Sequence, residues 1–261
     1  MPSQPDPAKI AVAWRDVTKS YPDGSQALKG VTLEVAQGEF LAILGTSGSG
    51  KTTLLKMVNR LIDPTSGEVS VDGRSTAEWD PIALRRSTGY VIQDVGLMPH
   101  LTIRENVGLV LRLQGVSTTA RDEQSDQSLR MVGLDPEAIG LRFPHQLSGG
   151  QRQRVGVARA LATGPSLLLM DEPFGALDPI TRREIQDEFR DLQRRLGTTV
   201  ILVTHDIREA CRMADRLALV DGGQIVQVGP ARAFLEHPAT PFVRSFFQDA
   251  EAVAPIAGEA A

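Results

Sequence analysis

The sequence predicts an α/β domain built on a mostly parallel sheet, from three observations. Short apolar runs at 40–44, 89–92, 167–170, 200–203 and 217–220 are hydrophobic on both faces, as strands covered on both sides are. Helical patterns at 52–61, 103–113, 120–132 and 151–162 alternate with them. From about 102 to 140 the patterns are helical with no strand between them, which marks a helical insertion within the domain.

Composition narrows the class. The 261 residues suffice for one compact domain with a subdomain. The formal net charge of −4 argues against broad nucleic-acid binding, which needs excess positive charge. A single cysteine, Cys211, excludes an intrachain disulfide and fits a reducing cytoplasm. The N-terminus carries no apolar signal core, and no apolar run approaches the ~20 residues that span a bilayer. Any membrane role is therefore expected through a partner. Residues 1–9 are polar and proline-rich and are expected to be disordered, with a domain over 10–245 and a flexible Ala/Glu/Gly-rich tail over 246–261.

The most chemically specific stretch is Gly45-Thr46-Ser47-Gly48-Ser49-Gly50-Lys51-Thr52, which matches the phosphate-binding loop G-x-x-x-x-G-K-[ST]. An apolar strand pattern precedes it and a helical pattern follows. Glycines let the backbone curl until consecutive N–H groups face phosphate oxygens. The helix adds its positive dipole end. Lys51 brings a cation to the β and γ phosphates, and the Thr52 hydroxyl can ligate Mg²⁺. Kinases, GTPases and many ATPases share this loop.

The run 167–173 ends an apolar strand on Asp171-Glu172-Pro173, at the sheet edge where α/β proteins bind ligands. Asp171 would hold Mg²⁺ directly or through water, and Glu172 would act as general base on the attacking water. Read alone, this pair would equally suit a helix cap. His205 follows the strand at 200–203 and could orient Glu172; a lone histidine there is more often structural, and only its company raises it.

The run Leu147-Ser148-Gly149-Gly150-Gln151-Arg152-Gln153-Arg154 resembles the signature motif of the ABC ATPases, 23 residues ahead of Asp171 as in that family. Tyr21 resembles the aromatic residue that stacks on adenine, Gln93 the Q-loop glutamine, Ala176-Leu177-Asp178 the D-loop, and His205 the switch histidine. The resemblance covers roughly 10–245. It implies a P-loop NTPase core with a mostly parallel sheet, an antiparallel β subdomain and an inserted helical subdomain at about 95–160. It implies ATP contacts from Tyr21, the loop Gly45–Thr52 and Thr53, Mg²⁺ ligands Thr52, Gln93 and Asp171, and catalytic roles for Glu172 and His205. Ser148, Gly149, Gly150 and Gln151, with exposed N–H groups at a helix start, would meet ATP bound to a second subunit. The implied assembly is a head-to-tail dimer, of two copies or with a paralogous ATPase, around two ATP molecules.

Three roles stay open for such a chain: a transporter subunit with separate membrane partners, a soluble ABC ATPase, and a nucleotide-binding regulatory module. One cassette on the chain, no sustained heptads, and the presence of both Glu172 and His205 favour the first. Wordings such as Asn59-Arg60-Leu61, Val91-Ile92-Gln93 and Phe174-Gly175-Ala176-Leu177-Asp178-Pro179 resemble the osmoprotectant importers of glycine betaine, choline and other quaternary amines. Polar amino-acid importers share much of this. Many osmoprotectant ATPases continue into paired regulatory domains, which are not expected here. The resemblance implies integral membrane permease subunits, indirectly an extracytoplasmic solute-binding protein, no nucleic acid, and a position on the cytoplasmic face of the inner membrane. Val95, Leu97 and Met98, after Gln93, could line the groove that in the family receives a helix of the membrane subunit, or could pack the insertion against the core.

Overall fold

The computed structural model describes residues 9–251 apart from Asp94 and Ala176. Two sheets organise it. Strands β1 (Ile10–Ser20), β2 (Gln26–Ala36), β4 (Ser66–Val71) and β5 (Arg74–Ser75) form an antiparallel sheet in the order β2-β1-β4-β5. Strands β3 (Phe40–Gly45), β6 (Thr88–Val91), β7 (Leu167–Asp171), β8 (Thr199–Val203), β9 (Arg216–Asp221) and β10 (Gln224–Gly229) form the second, in the order β10-β9-β3-β8-β7-β6. Pairing is parallel from β9 through β6; β10 alone turns back antiparallel at the edge.

Alternation along β3 shows why this sheet reads as apolar on both faces. Phe40, Ala42 and Leu44 join one core with Leu168, Met170, Val200 and Leu202. Leu41 and Ile43 join the other with Leu169, Ile201, Val203 and Val220. Helix α1 (Lys51–Val58) lies in this second core, between the two sheets, burying Leu54, Leu55, Met57 and Val58. Trp14 of β1 is fully buried there and donates its indole N–H to the Leu54 carbonyl at 3.2 Å, tying the antiparallel sheet to α1. Its place is core packing, as is that of Trp79, against whose ring Arg74 stacks at 4.8 Å.

Short helix α2 (Pro81–Ser87) leads into β6. Between β6 and β7 the described residues contain only helices: α3 (Ile103–Val107), α4 (Leu109–Leu113), α5 (Thr118–Met131), α6 (Pro136–Ile139) and α7 (Gly149–Leu161). The continuous helix anticipated at 103–113 is broken at Gly108. A Cβ there would lie 2.7 Å from Arg121 Cγ and 2.8 Å from Ser125 Oγ, so glycine is what lets α5 approach. Helices α8 (Pro179–Leu196) and α9 (Ile207–Met213) flank β8 in sequence and cover the other core.

The chain ends in α10 (Ala231–Glu236) and α11 (Pro241–Glu251). Phe234 and Phe247 stack at 4.8 Å and both are buried. The flexible tail anticipated from 246 therefore begins too early: Phe247 is core, and the helix runs to Glu251. The anticipated disorder of 1–8 and looseness of 252–261 lie outside the described residues. Among the described residues no helix is long and apolar enough to cross a membrane.

Candidate nucleotide site

The loop between β3 and α1 is shaped by glycine at two close approaches. Gly45 has φ 152°, and a Cβ on it would meet the Val220 carbonyl oxygen at 2.1 Å. Gly50, at φ 102°, would place one 2.5 Å from the Ala27 carbonyl oxygen. Gly50 is also the N-cap of α1 and supplies no side-chain cap. The first-turn N–H groups of α1 are therefore left for a ligand. Lys51 folds its ammonium back onto the loop, donating to Gly45 O at 2.9 Å and Thr46 O at 2.7 Å. Of its three donors, one remains. Burial pulls its pKa down, opposed by the carboxylates of Glu172 and Asp171. Ser49 Oγ is buried and has no partner among the described residues. Free N–H groups, a spare ammonium donor and an orphaned hydroxyl around a glycine cradle fit a polyphosphate.

Opposite the loop, the Thr52 hydroxyl donates to Asp171 Oδ1 at 3.0 Å. Burial pushes the Asp171 carboxyl up, against the Thr52 hydrogen bond and nearby Lys56. No cluster of three His, Cys, Asp or Glu capable of holding a metal occurs among the described residues. Two adjacent hard oxygens do fit Mg²⁺, which takes one or two protein ligands and completes its shell with phosphate oxygens and water.

Glu172 stands next to Asp171 in left-handed backbone, φ 46°, its N–H donating to Val203 O at 2.9 Å. Its Oε2 lies 3.1 Å from His205 Nδ1 and accepts from Gln93 Nε2 at 3.4 Å. The ends of three parallel strands, β6, β7 and β8, thus bring Gln93, Glu172 and His205 to one carboxylate oxygen. Gln93 reaches Glu172 rather than Thr52 or Asp171. Tyr21 stands at the edge, its hydroxyl 3.5 Å from Thr53 Oγ1 and its ring 5.3 Å from Lys19 Nζ.

Ser148, Gly149, Gly150 and Gln151 lie elsewhere. Ser148 caps α7: its hydroxyl accepts from Gln151 N at 3.2 Å while Gln151 Oε1 accepts from Ser148 N at 3.0 Å, a reciprocal capping box. Gly149 and Gly150 are the first helical residues rather than a turn ahead of the helix. A Cβ on Gly150 would press on Thr181 Cγ2 at 2.8 Å, so glycine seats α7 against the start of α8. None of these residues' described hydrogen bonds reaches the P-loop. Asp178 is the N-cap of α8, accepting from Ile180 N at 3.2 Å and Thr181 N at 3.1 Å. Hydrogen bonds from Thr181 and Ile180 hold its carboxyl below the usual range. Ala176 of the same loop lies outside the described residues.

One titratable group beneath the site escaped the sequence reading. Glu209 on α9 is buried, accepts from Gln186 Nε2 at 3.1 Å and from the Thr204 hydroxyl, and has its pKa pushed up to about 7 by burial. The signal was faint: an Asp206-x-x-Glu209 spacing at a helix start. Because the folded state holds this proton more tightly than the unfolded chain, ionisation opposes folding. Stability falls as pH rises from the ordinary carboxyl range, near 4.5, through about 7. Glu209→Gln is expected to flatten that fall, gaining about 1–3 kcal/mol on the native protein between pH 5 and pH 8. Urea titrations at the two pH values check it; equal slopes for both proteins would refute it.

The model of the family described as ABC transporter matches residues 28–175. The Escherichia coli (strain K12) glycine betaine uptake system ATP-binding protein YehX is 48% identical over 240 residues, 92% of this chain and 77% of the relative. The chain belongs to the ABC transporter family. The glycine betaine/carnitine/choline transport ATP-binding protein OpuCA of Bacillus subtilis (strain 168) is 50% identical over 230 residues, 88% of this ABC chain. The ABC chain spans 60% of that relative's length. Among solved structures, the dimeric post-hydrolysis state of the ATP-binding cassette MJ0796 bound to ADP and Pi superposes with TM-score 0.75 at 39% identity, over 85% of this chain and 99% of that one. The cbiO1 protein of Clostridium perfringens, part of the ABC transporter complex cbiONQ, gives 0.80 at 28% identity, over 94% and 97%.

Proposed function

We propose that this chain binds and hydrolyses ATP to energise an importer of an osmoprotectant such as glycine betaine, choline or another quaternary amine. The observation that carries the hydrolysis is the meeting of Gln93, Glu172 and His205 at one oxygen, beside the Thr52–Asp171 pair and Lys51. The N–H groups of the glycine loop and Lys51 hold the phosphates of ATP; Tyr21 stacks on its base. Thr52 and Asp171 hold Mg²⁺, which when bound neutralises charge developing on the phosphate oxygens. Glu172 takes a proton from the attacking water. Hydrogen bonds from His205 and Gln93 fix the oxygen that receives it.

Ser148–Gln151, whose described hydrogen bonds stay within their own helix start, suit the nucleotide of a second copy. ATP binding the closed dimer better than the open one is what would drive permease subunits between conformations. The dimeric neighbour bound to ADP and Pi supports this assembly. The uptake and transport systems to which the relatives belong support permease partners, a place at the cytoplasmic face of the membrane, and the quaternary-amine class.

Uptake of labelled glycine betaine and choline by cells at high salt, with the intact protein against Glu172→Gln, tests the whole. Uptake is expected to depend on Glu172. Uptake unaffected by the substitution would remove these solutes and make polar amino acids the next to try.

A further inference from the structure

Helix α8 holds both chain neighbours of His205. In its first turn, Arg182 Nη2 donates to Leu177 O at 2.9 Å and Gly175 O at 3.4 Å, carbonyls of the loop running from Glu172 to Asp178. Its Nη1 lies 3.5 Å from Asp206 Oδ2. One turn on, on the same helix face, Gln186 Nε2 donates to Glu209 Oε1. The other oxygen of Glu209 accepts from the Thr204 hydroxyl, whose oxygen accepts from Asp206 N at 3.0 Å. Asp206 Oδ1 meanwhile caps α9, accepting from Arg208 N at 2.9 Å and Glu209 N at 3.2 Å. Thr204 and Asp206, immediately before and after the histidine, are therefore both fastened. The His205 side chain itself is 66% exposed, and among the described residues Glu172 is its one side-chain partner. Little besides its backbone neighbours can aim it.

From this geometry we infer that Arg182 is a positioning residue for hydrolysis: with Gln186, Asp206 and Glu209 it staples the loop after Glu172 to the loop carrying His205, so that the two side chains meet. The fork of a guanidinium suits the task, because planar donors pointing two ways can serve two loops at once, which a lysine ammonium on a flexible stem does poorly. The Arg182–Asp206 ion pair is partly exposed and adds little stability by itself. Its distinguishing property is where it sits. The inference rests on the hydrolysis reading above.

The test is a double-mutant cycle in the full chain, by single-turnover ATP hydrolysis with ATP affinity measured in parallel. Arg182→Ala is expected to lower the hydrolysis rate about tenfold or more, with ATP affinity within about twofold. In a His205→Ala background the same substitution is expected to cost less than about twofold, because the side chain it aims is gone. Arg182→Lys keeps the charge and the stem, and serves where the alanine variant does not fold; it is expected to fall between native and Ala. Equal losses in both backgrounds, or a native rate in Arg182→Lys, would overturn the inference while leaving Glu172 its role. A native chain without turnover would sink the hydrolysis reading, and this inference with it.

Discussion

Glu172→Gln is expected to lower the rate of ATP hydrolysis by about 10²–10⁴-fold and to leave ATP bound. The substitution is nearly isosteric, and an amide oxygen still accepts from His205 and Gln93, which lie 3.1 and 3.4 Å from Glu172 Oε2. Geometry is kept and basicity is lost, so the change isolates proton acceptance. In the proposed function the phosphate contacts come from other residues, Lys51 and the glycine loop, so affinity is expected to be untouched. With turnover blocked, the proposed ATP-closed dimer is expected to accumulate, the variant eluting as a dimer in ATP where the native protein relaxes to monomer. Phosphate release, equilibrium binding and elution volume together make the check. A native rate in the variant would remove Glu172 as the base, whatever the elution showed.

Lys51→Ala is expected to weaken ATP binding by about 10–100-fold, the span of a charge-assisted hydrogen bond worth about 1.5–3 kcal/mol. The ammonium bridges Gly45 O and Thr46 O and keeps one donor for phosphate. Its charge is already disfavoured by burial, so its loss is expected to leave the ligand-free fold close to native. Thermal melts separate the two effects. ATP raises the Tm of the native protein by mass action; the variant, melting near the native temperature without nucleotide, shows little further rise. A full ATP-induced rise in the variant would show that the loop binds phosphate without its cation.

The parallel sheet was legible because its strands are covered on both faces, which makes 40–44 or 200–203 apolar at every position. The antiparallel sheet was not legible from its residues. Strand β2 alternates buried Val31, Leu33 and Val35 with exposed polar neighbours, and bulges interrupt its register with β1. It was anticipated only through resemblance. Helix α8 has Ile185, Phe189 and Leu192 on one face, diluted among charged residues. Helix α11 buries Val243 and Phe247, spaced one helical turn apart, and Phe247 stacks on Phe234 of α10. At the site, motif spacing picked out Lys51, Asp171, Glu172 and His205, because each ends or follows an apolar strand. Arg182 and Glu209 stayed hidden: their meaning lies in partners on other elements, Asp206 for one and Gln186 for the other.

With Glu172 as the proposed general base, its left-handed backbone sets stability and turnover against each other. A non-glycine residue at φ 46° costs on the order of 1–3 kcal/mol, and glycine or asparagine would sit there more comfortably. Laboratory selection for heat resistance alone would drift toward those residues at 172 and return a sturdier protein without a general base. Position 172 is one to hold fixed whenever this chain is engineered for robustness.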